Sequence, residues 1–501
     1  MSIQPDFETF KARFDDRKTQ LLWQWIPADM ETPVSAYLKL CEDKPYSFLL
    51  ESVEGGATLG RYSAIGLAPD LVWTCCASEK EEHEDADPLK TLRCHVRDSR
   101  IDIVPEDIPP MGPSGLFGYM GYDMVRLIED IPDRNPDELH VPDSIMMRPT
   151  LMVIFDNVKN MMCLVTPVRD HAGNAKDKVE DVYTAASERL AKAFKTLTGP
   201  LPAEALHCGT RLETPLPVRS NMEEKQFHEM VERAVEYIRA GDIFQVVLGQ
   251  RFSVDFDLPG FELYRSLRRL NPSPFLFYIR FEDFDLVGSS PEILVRVRDK
   301  TVTIRPIAGT RPRGRNAAED KALAEDLLSD PKERAEHLML LDLGRNDVGR
   351  VAKTGSMKVT EEFVIERYSH VMHIVSNVEG TLRADRDSLD ALFAGFPAGT
   401  VSGAPKVRAM EIIDELEPLR RSYYGGCIGY LDGNGELDTC IALRTALVKD
   451  GKVYVQASGG IVADSKPASE YAESCNKARA IIQAAELAVD QARGQINQKD
   501  S

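Results

Sequence analysis

The chain has 501 residues, 43% of them apolar and 28% charged, an ordinary globular composition in a length too great for one core. Asp plus Glu number 80 against 61 Lys plus Arg, and the net charge of −19 excludes a general nucleic-acid or anionic-membrane binder, so any anionic ligand depends on locally placed cations. Nine cysteines without a C-x-x-C pair read as reduced thiols; with no apolar run of spanning length and no signal-peptide pattern in the first residues, a cytoplasmic protein is expected.

The first third alternates short strands, at 46–50, 70–74 and 151–155, with Pro- and Gly-rich loops. The acidic run 79–87 reads as a solvated loop. Over 175–197, Val179, Val182, Tyr183, Ala186, Leu190 and Phe194 recur at helical spacing and predict an amphipathic helix. Periodicity stops across 199–217, where Pro200, Pro202, Pro215 and Pro217 fall. The chain therefore divides into a domain over 1–198, a linker over 199–217 and a second domain over 218–493. That domain opens on a helix with Ser220 and Glu223 as a capping box, an apolar face from Phe227 to Ile238, and Gly241 as its stop. Strands follow at 244–248, 275–281, 293–297, 302–304 and 453–457, and helices at 317–328, 332–341 and 468–493. Asp432-Gly433-Asn434-Gly435 and Asp450-Gly451 mark hairpins. Runs of strands, then helices, then hairpins indicate an antiparallel α+β fold.

Chemistry begins with acids on helices. Glu333 and Glu336 are spaced i,i+3, as are Glu470 and Glu473, so each pair shares a helix face. Two such faces could offer hard oxygens to Mg²⁺, although a solvated face is the commoner meaning of the spacing. Lys477, one turn beyond Glu473, is either a surface partner or a cation facing the same ligand. The segment 398–406 is rich in small residues and enters a helix at Pro405, which suits an anion at free backbone N–H groups. Its spacing is not that of a P-loop. Gly309 to Arg315 adds backbone donors and three guanidinium groups, and Ser458-Gly459-Gly460 closes the 453–457 strand where backbone can approach a ligand. Singly, each is more commonly a turn than a site. His370 and His373 lack the spacing and the third ligand of a zinc site; one is a candidate general base, the plainer alternative being a buried structural imidazole. G-x-S-x-G and the dinucleotide fingerprint are absent. From the residues alone, the chain is an enzyme for an anionic ligand with a possible Mg²⁺ site.

In sequence, however, I-F-Q-V-V-L, S-S-P-E, R-P-I-A-G-T-R-P-R-G, A-E-H-L-M-L-L-D-L-G-R-N-D, Y-S-H-V-M-H, G-T-V-S-G-A-P-K, Y-Y-G-G-C-I-G-Y, D-T-C-I-A-L-R-T, A-S-G-G-I-V and A-E-S-C-N-K-A-R follow one another from about 244 to 479. Together they resemble the chorismate-utilising family, which comprises anthranilate, aminodeoxychorismate, isochorismate and salicylate synthases. The resemblance implies a two-lobed α+β fold of antiparallel sheets and flanking helices. It implies Glu336 and Glu473 as Mg²⁺ carboxylates, with Glu333 and Glu470 behind them. Gly309, Thr310, Tyr424, Arg444, Ser458, Gly459, Gly460 and Lys477 become contacts to chorismate, Arg444 and Lys477 being suited to its carboxylates. Glu292 matches the acid at the departing hydroxyl, His373 the base for the elimination, and Thr400 lines the pocket.

Two positions choose among members. Relatives that add water carry a lysine where Gln245 stands, and aminodeoxychorismate synthases carry a nucleophilic lysine where Ala308 stands. Addition of free ammonia remains, as in the large subunits of anthranilate synthases. Leu49-Leu50-Glu51-Ser52 and Asn271-Pro272-Ser273-Pro274-Phe275-Leu276 resemble the elements with which those subunits bind tryptophan as feedback inhibitor. Glu51 would accept from its amino group, Ser52 would hydrogen-bond it, and Pro274, Phe275 and Leu276 would pack on the indole. No glutaminase segment is read in the chain, so a separate glutamine amidotransferase subunit is expected, in a hetero-oligomer. The alternatives are a 2-amino-2-deoxyisochorismate synthase of phenazine type and a catalytically inactive chorismate- or tryptophan-binding regulator.

Overall fold

The computed structural model describes residues 2–41, 44–54, 58–76, 87–109, 114–169, 178–202, 215–368 and 371–499. Most of the acidic run 79–87, the stretch 203–214 of the expected linker, and His370 lie outside them.

Strand pairing within one 20-stranded sheet organises the molecule. The strand Ser144–Asp156 is its branch point. One arm runs through Tyr62–Cys75, Ser47–Glu51, Phe275–Arg280, Asp285–Ser290, Thr445–Lys449 and Lys452–Ile461 to Gln245–Asp255. The other runs through Gly115–Met120, Cys427–Asp432, Leu437–Ile441, Ile293–Arg298 and Thr301–Ile304 to Val371–Thr381, which also pairs Ile307–Pro312 and Lys358–Arg367. Every one of these ladders is antiparallel. Strands from the first third of the chain are thus bonded directly to strands of the other two, as at Leu276↔Glu51 and Ile428↔Tyr119.

The period of two in a strand explains why the sheet can be buried on both faces. Along Ser144–Asp156, Leu151, Val153 and Phe155 enter one core while Met147, Met152 and Ile154 enter another. Among the described residues, no helix is long and apolar enough to cross a membrane.

Local signals behave as their chemistry requires, with instructive departures. The helix Val179–Leu197 lies inside the expected span, and Gly241, at φ 87°, ends the helix Glu224–Ala240. Its capping box uses Glu223 and Gln226 instead of Ser220 and Glu223, because Ser220 pairs in a short strand and its hydroxyl donates to Gln250 Oε1 at 2.7 Å. The expected helix 332–341 extends over Pro331–Val351, started by Asp330, whose carboxylate accepts from Lys332 and Glu333 N–H. Ser458 to Gly460 do not end their strand: Lys452–Ile461 continues through them, with Gly459 and Gly460 opposite Leu248 and Val247.

Candidate active site

The far ends of the two arms meet, and the helices Pro331–Val351 and Pro467–Lys499 close over them. Between them lies a cavity of about 700 Å³. Its lining brings together Glu292, Gly309, Thr310, Glu336, His373, Thr400, Tyr424, Arg444, Ser458, Gly460, Glu473 and Lys477, residues spread over nearly two hundred positions of sequence.

The acids arrive on helices. Glu333 and Glu336 project from one, Glu470 and Glu473 from the other, so both i,i+3 faces point at the cavity. Burial, and then the Glu333 and Glu473 charges, raise the Glu336 carboxyl against the lowering effect of the Gln245 amide, which donates to Glu336 Oε1 at 3.2 Å. Burial also raises Glu470, and Glu473 adds to it. Mutually repelling carboxylates at a shared wall suit a divalent cation. Among the described residues no group of three metal-binding side chains forms a ready-made cage. Mg²⁺ does not need one, since it takes one or two carboxylates and completes its shell with water and substrate oxygens. Glu473 already meets Lys477 Nζ at 2.7 Å, and that ammonium donates to Ser458 O at 2.9 Å.

The glycines mark close approach. A Cβ on Gly459 would stand 3.2 Å from Glu470 Oε2, and one on Gly460 would stand 2.3 Å from Gln245 Nε2. Gly309, at φ 69°, turns its carbonyl toward His373. His373 Nδ1 lies 2.9 Å from Gly309 O. A carbonyl only accepts, so Nδ1 carries the proton and Nε2 is left as the basic atom. Burial chiefly lowers the affinity of this imidazole for a second proton. Tyr368 sits edge-on to the ring at 5.5 Å.

Across the cavity, Glu292 is 8% exposed and burial pushes its carboxyl up to about 8, although Thr400 donates to Oε1 at 3.0 Å and Lys477 favours the charged form. A carboxyl held neutral at pH 7 can donate a proton. Arg444 has its guanidinium deep in the cavity, where burial works against its charge, and among the described residues it has no ion-pair partner. A desolvated guanidinium in this state is an anion receptor. Tyr424 hydroxyl shares a hydrogen with Ser458 Oγ beside it.

Some expected donors are already engaged. Arg311 is held by Asp326, Asp330 and Glu333 at 2.8–2.9 Å, and Arg313 by Asp320 at 2.7 Å, so these guanidinium groups organise the wall and do not face a ligand. Lys406, at the start of the helix Lys406–Leu416, bonds Asp347 at 3.1 Å; of the segment 398–406 only Thr400 and Val401 line the cavity.

The sequence model of chorismate binding enzymes matches residues 47–483. The chain belongs to that family. It is 52% identical to anthranilate synthase component 1 of Cereibacter sphaeroides over 497 residues, covering 96% of this chain and 97% of the relative. The component 1 of Pseudomonas putida is 49% identical, with 92% and 94% covered. The crystal structure of anthranilate synthase component I from Streptococcus pneumoniae superposes with a TM-score of 0.75 at 38% identity, covering 91% of this chain and 99% of that one. The menaquinone-specific isochorismate synthase of Escherichia coli, 21% identical, shares the fold at a TM-score of 0.68, covering 96% and 98%.

This chorismate-binding enzyme has a second cavity, of about 790 Å³, between the two arms of the sheet. Glu51, Ser52, Pro274, Phe275 and Leu276 line it, with Tyr430, Asp438 and Tyr368. Glu51 already has partners. Its carboxylate accepts from Arg268 Nε at 2.7 Å, Arg268 Nη2 at 3.0 Å and Tyr264 hydroxyl at 2.5 Å. Pro291 and Ile307 line both cavities. The contributions of Tyr368 and Arg268, and the bond from Gln245 to Glu336, escaped the sequence reading, because a ring contact, an ion pair between residues 217 positions apart and a neutral amide leave no spacing signature.

Proposed function

We propose that the chain is the large subunit of an anthranilate synthase, converting chorismate and ammonia to anthranilate, pyruvate and water. The observation that carries the reading is one cavity that brings together a buried acid, Glu292, a half-buried base, His373, and a guanidinium with no ion-pair partner among the described residues, Arg444. Arg444 and Lys477 bind the two carboxylates of the substrate and fix the ring between acid and base. Ammonia adds at C2 while Glu292 protonates the departing C4 hydroxyl, which leaves as water. His373 Nε2 then takes the C2 proton, the ring becomes aromatic and the side chain departs as pyruvate. Glu336 and Glu473, backed by Glu333 and Glu470, would hold Mg²⁺, which when bound supplies Lewis-acid neutralisation of the ring carboxylate. Gln245 and Ala308 both line the cavity, and neither can serve as the basic or nucleophilic amine of the hydrating or covalent relatives.

The same reading makes ammonia the product of a separate glutamine amidotransferase subunit, and the second cavity a tryptophan site through which the end product inhibits. There Ser52 hydrogen-bonds the ligand and Pro274, Phe275 and Leu276 meet the indole. Glu51 Oε1, which accepts only from Arg268 Nη2 among the described residues, keeps a lone pair for the amino group.

The test is fluorescence detection of anthranilate from chorismate, Mg²⁺ and an ammonium salt, with chromatography of the products. Turnover with ammonium and none with glutamine alone is expected. An aminated product that retains its enolpyruvyl group would instead identify the phenazine-type reaction, and no turnover at all would leave a binding protein.

A further inference from the structure

Behind the cavity, and outside its lining, stands a buried ion pair. Arg421 is 2% exposed, and its partner Glu417 is as deeply enclosed. The guanidinium donates to Glu417 Oε2 at 2.9 Å through Nε and to Oε1 at 2.6 Å through Nη2. Its remaining donors leave the pair: Nη2 reaches Val247 O at 2.6 Å, and Nη1 reaches Val401 O. Glu417 Oε1 in turn accepts from Gly249 N–H at 2.9 Å. The guanidinium carbon lies 4.8 Å from the centre of the Tyr122 ring and 5.8 Å from that of Tyr424.

Val247, Val401 and Tyr424 belong to three separate pieces of chain, and all three line the cavity. Val401 follows Thr400, the donor to Glu292, and Tyr424 hydroxyl is bonded to Ser458. One rigid, planar fork therefore ties together the strand behind Gln245, the turn that carries the partner of the acid, and a ring that meets the substrate. Burying a charge pair this deeply is a poor route to stability, because an apolar pair of similar volume usually does as well or better. Fixed directions are what an apolar pair cannot supply.

We propose that Arg421, with Glu417, is a positioning residue for the acid half of the reaction: it holds Thr400, and through it Glu292, in register with Tyr424 and the strand floor. The proposal rests on the anthranilate synthase reading. Two variants test it. Arg421→Lys keeps the charge and the apolar stem but loses the fork. Arg421→Met combined with Glu417→Leu removes both charges, so that no lone ion stays buried. Thermal unfolding followed by circular dichroism sets a temperature at which each variant is folded. There, kcat and KM for chorismate are measured across pH with saturating Mg²⁺ and ammonium. Misplacement of an aligned group by about an ångström can lower a rate about 10²-fold, and a drop of that order in kcat is expected, with KM close to wild type. The alkaline limb of the pH profile, set by Glu292, should move in the folded variants. A purely structural role would lower the unfolding midpoint and leave that limb and the kcat-to-KM split unchanged. A folded variant with wild-type kcat and an unmoved limb overturns the proposal. Failure of both variants to fold also counts against it, since a pair kept for geometry is dispensable for folding. Absence of anthranilate from the wild-type protein would instead overturn the functional reading.

Discussion

Four side chains carry the testable chemistry at the scale of single residues. Glu292 acts as an acid only while protonated, so its activity is lost as pH rises through about 8. His373 acts as a base only while neutral, and burial lowers it from 6.5, so activity is lost only below that value. The profile of kcat/KM against pH should therefore be a bell with its plateau around neutrality. A profile that keeps rising well above pH 9 would remove Glu292 from the role of acid. His373→Ala should slow the elimination by about 10² to 10⁴ while amination continues, so that the aminated intermediate accumulates in chromatograms of the reaction. An unchanged product ratio would make His373 a structural residue. Glu336→Gln and Glu473→Gln preserve volume and remove charge. Each should raise the Mg²⁺ concentration needed for half-maximal rate and depress the maximal rate, since Lewis-acid stabilisation contributes several kcal/mol. Wild-type rates at limiting Mg²⁺ would return both to the class of solvated acids.

At the scale of elements, the strands Ser47–Glu51 and Phe275–Arg280 are hydrogen-bonded neighbours, and the residues proposed to meet tryptophan sit at the end of that ladder. Ser52→Phe should fill the second cavity from its edge, abolish inhibition by tryptophan and leave the rate without tryptophan close to wild type. A tryptophan titration at subsaturating chorismate decides it, and equal inhibition of both proteins would sink the idea. The same elements show what sequence could and could not reveal. Helix positions were legible because 3.6-residue periodicity and a stop at Gly241 are local properties. The i,i+3 acids were legible as faces, but not as facing each other, because that depends on pairings hundreds of residues apart. Ser458 to Gly460 looked like a strand end because glycine usually signals one. Here Gly460 marks where the Gln245 amide comes to within 2.3 Å of an added Cβ, and Gly459 a tighter-than-usual approach of Glu470. The Arg421–Glu417 pair has the i,i+4 spacing common to surface ion pairs, and its burial alone sets it apart.

On the scale of the whole molecule, the branching sheet places two large cavities back to back, with Pro291 and Ile307 common to their walls. Glu292 follows the first of these residues, and Ala308 and Gly309 follow the second. A ligand pressing on that wall from one side acts on the neighbours of the acid and of the carbonyl that holds His373, without needing a long relay. Were tryptophan to occupy the second cavity, as proposed, linkage would require chorismate to oppose it as strongly as it opposes chorismate. The shared wall also limits how the protein can change over generations. Substitutions at Ser52 or Phe275 touch one cavity alone and can drift under selection for weaker or stronger inhibition. Pro291 and Ile307 line both cavities, so under the proposed inhibition a substitution at either residue that relieved it would also alter the wall of the reaction cavity.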